Sequence, residues 1–334
     1  MYESFFKLQE KPFSLLPDPG YLYLGQQHST AYTMLDYGLS SQAGFTVISG
    51  EVGSGKTTLI RHLLNQQSVD VTVGLISNTH RTLTDLLQWV LFAFSLDYRN
   101  KGEIECYDAL IDFLVQEYSQ NRRAVLIVDE AQNLGIDALE ELRVLSNVNA
   151  DKDQVMQLIL VGQPELRETL KRPELVQFAQ RIAVDYHLGP LDEKATLDYI
   201  QHRLKVAGGD PGLIGPEACR AVYRASRGTP RLINTLCDTA LVYAYGANQP
   251  RVTEELMWEV IRDKLQGGLF DPQPSNVSPA PEPAEPEREP QPRRGNSESA
   301  GFVRNPELRD EIDQLQQQVN KLQRQFGNPT RNRR

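Results

Sequence analysis

The residue types best suited to chemistry stand together in one short run that follows an apolar stretch at 45–48. The run, called the phosphate loop below, is Gly50-Glu51-Val52-Gly53-Ser54-Gly55-Lys56-Thr57. It fits G-x-x-x-x-G-K-[ST], a pattern whose glycines let backbone amides wrap a phosphate. A helix beginning near Lys56 would direct the positive end of its dipole at the same anion. We predict an ATP site, with Lys56 on the β- and γ-phosphates, the Thr57 hydroxyl on Mg²⁺ and Thr58 beside them.

Two carboxylates follow a later apolar strand. Asp129 and Glu130 come directly after the run Val125-Leu126-Ile127-Val128. Asp129 is expected to order the Mg²⁺ shell. Glu130 is expected to accept a proton from the attacking water, a role that separates a hydrolase from a kinase. Together with the phosphate loop, the pair predicts ATP hydrolysis.

Polar residues at the ends of two other strands could complete the site. Gln163 follows the strand predicted at 157–161, and we expect it between the two motifs, where it could position the water or the γ-phosphate. Asn78 ends the strand predicted at 71–77 and could hydrogen-bond Glu130 until a ligand arrives. Each could instead be a simple polar residue at a strand end.

Two arginines are candidates for contacts with the γ-phosphate. Arg181 begins a predicted strand and would face a neighbouring subunit's nucleotide in a ring or filament, as an arginine finger does. Arg231 stands in Gly228-Thr229-Pro230-Arg231, where the proline suits a helix start and the arginine projects from the first turn. The alternative for each arginine is a surface salt bridge.

The elements that must position these residues alternate between strands and helices from His28 to Pro190. Apolar runs separated by helical patterns are typical of a parallel sheet covered on both faces, hence an α/β fold. The predicted strands lie at 45–49, 71–77, 124–129, 157–161 and 182–187. The predicted helices between them lie at 56–67, 82–95, 106–120, 136–149 and 164–170.

Composition divides the rest of the chain into further units. Residues 1–27 form an N-terminal segment whose aromatic residues and prolines argue against a regular helix, and we expect it on the surface of the core at 28–190. Residues 191–266, called the helical lid below, are predicted to form an all-helical unit. Its helices are predicted near 192–206, 216–227, 230–246 and 253–265.

The C-terminal part of the chain differs in composition from the rest. Residues 267–306 are rich in Pro, Glu and Arg and poor in apolar side chains, which predicts a disordered linker. Residues 307–326 place apolar side chains at alternating spacings of 4 and 3, typical of a coiled coil that binds a protein partner. The same helix could instead pack back on the core. Residues 327–334 form a basic tail.

Charge and cysteine content limit the possible partners and compartments. The net charge of −9 over 334 residues argues against strong non-specific binding to nucleic acid, although a local basic patch could still exist. Three widely spaced cysteines suit a reducing compartment and predict neither disulfides nor a metal site. No signal peptide or membrane span is predicted, so we expect a cytoplasmic protein.

Taken together, these motifs resemble those of the AAA+ ATPases, and more narrowly the general secretion pathway ATPase A family. In the core and lid, the matching residues are the phosphate loop, Asp129-Glu130-Ala131-Gln132, Val161-Gly162-Gln163-Pro164-Glu165-Leu166, Gln180-Arg181 and the Gly228–Arg231 run. Nearer the N-terminus they are Met1-Tyr2, Phe5, Pro12-Phe13, Pro17-Asp18-Pro19, Tyr21-Leu22-Tyr23 and His28. The resemblance covers about residues 1–266. It implies an AAA+ core with a lid, ATP and Mg²⁺ bound between them, and homo-oligomerisation. It also implies remodelling or regulation of an envelope-associated secretion, pilus or exopolysaccharide machine, with a peripheral link to an inner-membrane complex.

Two other functions remain open from the sequence. Related transposition ATPases share the core pattern and assemble on DNA, and a DNA-associated regulator would bind DNA in a salt-dependent manner. A nucleotide-switched interaction protein with little turnover is the second alternative. The family's transmembrane helix and peptidoglycan-binding domain are not recognisable here, and the linker and predicted coiled coil occupy that position.

Overall fold

A computed structural model describes residues 1–41, 43–66, 71–77, 86–150 and 153–267 of the chain. The predicted coiled coil at 307–326 and the basic tail lie outside the described residues. So does the predicted linker beyond Gly267. Asn78 also falls outside them, and its predicted bond to Glu130 stays a prediction.

The core is built on a parallel sheet of five strands in the order β2-β3-β6-β1-β7. The strands predicted from the sequence lie within two residues of these five, and a short antiparallel pair, β4 and β5, was not predicted. Because all five strands run in one direction, the residues that follow β1, β3 and β6 meet at one edge. The seven strands are β1 (Phe45–Gly50), β2 (Val71–Ile76), β3 (Arg123–Val128), β4 (Asn149–Ala150), β5 (Asp153–Gln154), β6 (Met156–Gly162) and β7 (Ile182–Leu188).

Helices cover the sheet and complete the α/β core that the alternating pattern predicted. They are α2 (Gln26–Ser40), α3 (Lys56–Gln66), α4 (Leu86–Ala93), α5 (Glu103–Ser119), α6 (Ile136–Leu145), α7 (Pro164–Leu170) and α8 (Val176–Ala179), after a first short helix α1 (Tyr2–Phe5). Helix α2 was missed, although Ala31, Leu35 and Leu39 repeat every four residues and are all buried. That spacing is the signal that could have found it.

The helical lid consists of four helices close to the predicted ranges. They are α9 (Glu193–Val206), α10 (Pro216–Ser226), α11 (Pro230–Gly246) and α12 (Glu254–Gln266). The side chains of Asp192 and Thr253 accept hydrogen bonds from backbone N–H groups in the first turns of α9 and α12, which fixes where these helices begin. Among the described residues, no helix is both long enough and apolar enough to cross a bilayer.

The prediction of a non-helical N-terminal segment on the surface of the core is wrong at the start of that segment, whereas the turn at Pro19–Tyr21 does lie against α3 of the core. Residues 2–5 form one helical turn, and Tyr2, Phe6 and Phe13 are buried in the hydrophobic core of the helical lid. The prolines constrain the chain only from Pro12 onward, so they do not prevent a turn at its start. Aromatic side chains this large stabilise the fold chiefly by burial, and the lid offers the apolar surface that buries them.

Candidate active site

The phosphate loop joins β1 to α3 in the form that its glycines predict. Gly53 and Gly55 adopt positive φ angles of 79° and 98°, which only glycine adopts without strain. The Lys56 ammonium lies inside the loop, where it donates to the carbonyl oxygens of Gly50 at 2.7 Å and Glu51 at 2.9 Å. Burial lowers the pKa of Lys56, while nearby carboxylates oppose that shift. The loop therefore presents a desolvated cation, which is the environment an incoming phosphate favours.

The predicted magnesium ligands are in contact across the sheet. The Thr57 hydroxyl donates to one carboxylate oxygen of Asp129 at 2.8 Å, and the other oxygen accepts the Glu130 backbone N–H at 2.9 Å. These are hard oxygen ligands placed beside the phosphate loop, as Mg²⁺ requires. The residues present therefore fit a Mg²⁺–ATP complex, with Thr57 and Asp129 as the groups that would hold the cation.

The Glu130 side chain lies at the carboxyl edge beside Gln163. Glu130 has a left-handed backbone with φ of 54°, which ends the strand geometry of β3. Its Oε2 atom accepts a hydrogen bond from the Gln163 side-chain amide at 3.2 Å and another from the amide of Gln132. The sheet places β6 between β1 and β3, so Gln163 does lie between the two motifs. Gln132 was not among the site residues predicted above, although it stands two residues after Glu130.

The helical lid reaches the phosphate loop through the start of α11. The backbone N–H of Arg231 donates to the carbonyl oxygen of Gly53 at 3.2 Å. The Arg231 side chain lines the same cleft as Lys56 and Glu130. This arrangement brings the predicted lid arginine to the nucleotide cleft of its own subunit.

Core, lid and N-terminal segment together enclose a cleft of about 380 Å³. Of the residues predicted from the sequence, those that line it are Val52, Gly53, Gly55, Lys56, Thr57, Thr58, Glu130, Gln163 and Arg231. One wall was not foreseen, and it comes from residues 14–18 and 21–23 of the N-terminal segment. Tyr21 and Tyr23 were the available signal, because loops often carry the residues that bind ligands.

Arg203 holds this N-terminal wall against the lid. Its guanidinium donates to the carbonyl oxygens of Pro12 at 2.5 Å and Ser14 at 3.3 Å, and to the Tyr199 hydroxyl at 2.9 Å. The guanidinium carbon also lies 4.7 Å from the centre of the Tyr21 ring, within range for a cation–π contact. The buried guanidinium of Arg203 therefore joins residues of the lid and of the N-terminal segment into one wall of the cleft.

His28 contacts the backbone of the phosphate loop. Its side chain is buried, and Nε2 lies 3.0 Å from the carbonyl oxygen of Ser54. Burial lowers the pKa of His28, which favours the neutral ring with a proton on Nε2 for donation to that carbonyl.

Arg181 does not line the cleft of this chain. It precedes β7, where Ile182 pairs with Phe45 while Gly50 pairs with Leu188 at the far end of the strands. Arg181 thus lies at the amino-terminal ends of the strands, whereas the phosphate loop lies at their carboxyl ends. The two are separated by about 17 Å along the strand direction. Its guanidinium donates to the Ser146 hydroxyl at 3.0 Å. Its predicted contact with a neighbouring subunit stays a prediction.

Comparisons with known proteins agree with this architecture. Residues 39–170 match the family described as AAA domain. The chain is 41% identical over 253 residues to General secretion pathway protein A of Aeromonas hydrophila, covering 75% of this chain and 46% of that protein. The chain therefore spans about half the length of that relative.

Solved structures show the same fold at lower sequence identity. The Aeropyrum pernix ORC2 protein has a TM-score of 0.57 at 18% identity, covering 76% of this chain and 71% of that one. The CDC6P structure from Pyrobaculum aerophilum has a TM-score of 0.57 at 16% identity, covering 74% and 71%. These likenesses concern the fold alone. The AAA domain match and the identity to the Aeromonas protein support an AAA ATPase related to General secretion pathway protein A.

Proposed function

We propose that the chain binds ATP with Mg²⁺ in the cleft and hydrolyses it, with Glu130 as the general base. The observation that carries this proposal is that Lys56, Thr57 and Glu130 line one cleft, with Asp129 hydrogen-bonded to Thr57. Mg²⁺, which Thr57 and Asp129 would hold, would supply charge neutralisation to the phosphates. The Lys56 ammonium adds a second positive charge, and the loop amides orient the phosphates.

Hydrolysis then needs one proton transfer by a residue of this chain. The oxygen of water attacks the γ-phosphorus, the bond from that phosphorus to the β–γ bridging oxygen breaks, and the Glu130 carboxylate accepts the proton of the water. The products are ADP and inorganic phosphate. Gln163 donates to Glu130 and lines the cleft, and on this ground we propose that its amide orients the water or the γ-phosphate.

The test compares steady-state phosphate release by the wild-type chain and Glu130→Gln. We expect the substitution to lower kcat by about 10²–10⁴-fold, the range for loss of a general base, while ATP still binds. Glu103→Gln is the matched control, because Glu103 is an exposed acid in the first turn of α5. A Glu130→Gln protein with the wild-type rate would refute the assignment of the base.

We further propose that Arg181 completes the site of a neighbouring copy in a homo-oligomeric ring or filament. In the described part of the chain, the hydrogen bonds of Arg181 go to neutral oxygens of Ser146 and Arg143. Burial and the nearby Arg143 charge lower the pKa of Arg181, and the Glu140 carboxylate opposes that shift only in part. An anion from another subunit would relieve that cost.

Mixing subunits tests the oligomeric site. Light scattering of Glu130→Gln with ATP should show an assembly larger than a monomer. Arg181→Ala should bind ATP normally yet turn it over slowly, and adding Glu130→Gln subunits, which retain Arg181, should restore part of its activity. An Arg181→Ala protein with the wild-type kcat would contradict the proposal.

The relative's name supports the proposal that the client is a secretion or other envelope assembly, approached from the cytoplasmic side of the inner membrane. We propose that residues 307–326 recruit the chain to it through a protein partner. Deleting 307–334 should remove membrane-associated localisation and leave ATP hydrolysis intact. Unchanged localisation of the deleted chain would exclude this route.

A further inference from the structure

Gln132 links the carboxyl ends of β3 and β6 through both ends of its side-chain amide. Its Oε1 atom accepts the backbone N–H of Gln163 at 3.0 Å, and its Nε2 atom donates to Oε2 of Glu130. The close approach is built into the backbone, because a Cβ at Gly162 would lie 3.0 Å from Oε1 of Gln132. A side chain at position 162 would therefore disturb this link.

The orientation of the Gln132 amide follows from its partners. A backbone N–H can only donate, so the amide atom that faces Gln163 must be the oxygen. The nitrogen then faces Glu130, whose ionised carboxylate can only accept. A main-chain anchor on one side thus fixes the direction of the donor on the other.

Glu130 accepts a second hydrogen bond from the side-chain amide of Gln163, but only one of the two donors is free to turn toward a nucleotide. Gln163 lines the nucleotide cleft, where a γ-phosphate would compete for its amide. Gln132 is tied to the main chain of β6. When the Gln163 amide turns to a phosphate, the Gln132 amide keeps its bond to Oε2.

We infer that Gln132 is a positioning residue, which holds the Glu130 carboxylate toward the attacking water while Gln163 serves the nucleotide. This inference rests on the proposed function, because it needs Glu130 to act as the base. A general base works only when its oxygen lies within hydrogen-bond reach of the water, and small misplacements cost large factors in rate. In this role Gln132 affects kcat by positioning Glu130 and does not itself contact the phosphates.

The experiment measures kcat, KM and the Kd for ATP of Gln132→Met and Gln132→Glu. Methionine keeps the length of the side chain and removes both hydrogen bonds. Glutamate keeps an acceptor for the Gln163 N–H and places a carboxylate against Glu130. We expect both variants to lower kcat by about 10–100-fold, less than full loss of the base, with KM and Kd within about twofold of wild type. Gln120→Met, at an exposed position after α5, is the matched control and should leave kcat unchanged.

The outcomes separate this inference from the proposed function. A folded Gln132→Met or Gln132→Glu protein with wild-type kcat overturns the positioning role, while Glu130→Gln still reports on the base. A kcat loss accompanied by an equal loss of ATP affinity also overturns it, since that pattern marks a damaged binding site. If Gln132→Met fails to fold, Gln132→Glu decides alone, because it retains the anchor to Gln163. Equal turnover by wild type and Glu130→Gln would instead defeat the proposed function.

Discussion

Gly53 is the position where the phosphate loop and the helical lid depend on each other most directly. Its φ of 79° is left-handed, and a Cβ built there would lie 2.3 Å from the Cβ of Arg231. Because the Cβ of Arg231 is fixed to the backbone at the start of α11, a change of side-chain rotamer cannot relieve this clash. Gly53→Ala should therefore push the first turn of α11 away from the loop and break the hydrogen bond from the Arg231 N–H to the Gly53 carbonyl.

The structure sets the size of the effect. A left-handed alanine costs about 1–2 kcal/mol, and the lost hydrogen bond costs about 0.5–1.5 kcal/mol. We expect the free energy of unfolding to fall by about 2–3 kcal/mol. The part that acts on lid closure, about 1.4 kcal/mol, should weaken ATP binding about tenfold.

Urea unfolding and titration with a fluorescent ATP analogue measure the two quantities separately. Gly246→Ala is the matched control, because a Cβ there meets nothing within 4 Å at the end of α11. Alanine in a helix is favoured over glycine by about 0.5–1 kcal/mol, so this variant should be as stable as wild type or slightly more stable. Wild-type stability and ATP affinity in Gly53→Ala would refute the account of how the lid engages the loop.

Three further substitutions test the walls of the cleft. Lys56→Met should lower ATP affinity by about 100-fold, the value of a desolvated charge contact of roughly 3 kcal/mol. Titration calorimetry measures the affinity, and a wild-type value would contradict the placement of Lys56 on the phosphates. Arg203→Met should lower the free energy of unfolding in urea by about 2–3 kcal/mol, because it removes the hydrogen bond to the Pro12 carbonyl. Limited proteolysis should then cut the N-terminal segment first, and a segment that stays protected would contradict the proposed role of Arg203 in holding it against the lid. His28 has a lowered pKa in the fold, so its contribution to stability is present above its unfolded pKa of about 6.5 and is lost as pH falls through its folded pKa. In His28→Gln, which keeps a donor for the Ser54 carbonyl, the melting temperature should fall less between pH 7 and 5 than it does in wild type.

The parts of the molecule that could be predicted are those with a local signature. Strand β3 and the carboxylates after it follow from an unbroken apolar run ending in Asp129, and the four lid helices follow from periodicity with breaks at Gly and Pro. The error at the N-terminus has a different origin. Proline content describes backbone freedom near Pro12 and contains no information on which surface will bury Tyr2 or Phe13.

The phosphate loop, the carboxylate pair and the helical lid can be predicted from local patterns, because the backbone freedom of glycine and the spacing of apolar residues act over a few neighbouring positions. The side chains that complete the site come together through the tertiary structure. Arg203 contacts Pro12 across 191 residues, and the Gln132 amide reaches the Gln163 backbone across 31. Such contacts depend on strand order and on the packing of separate units, which no local pattern encodes.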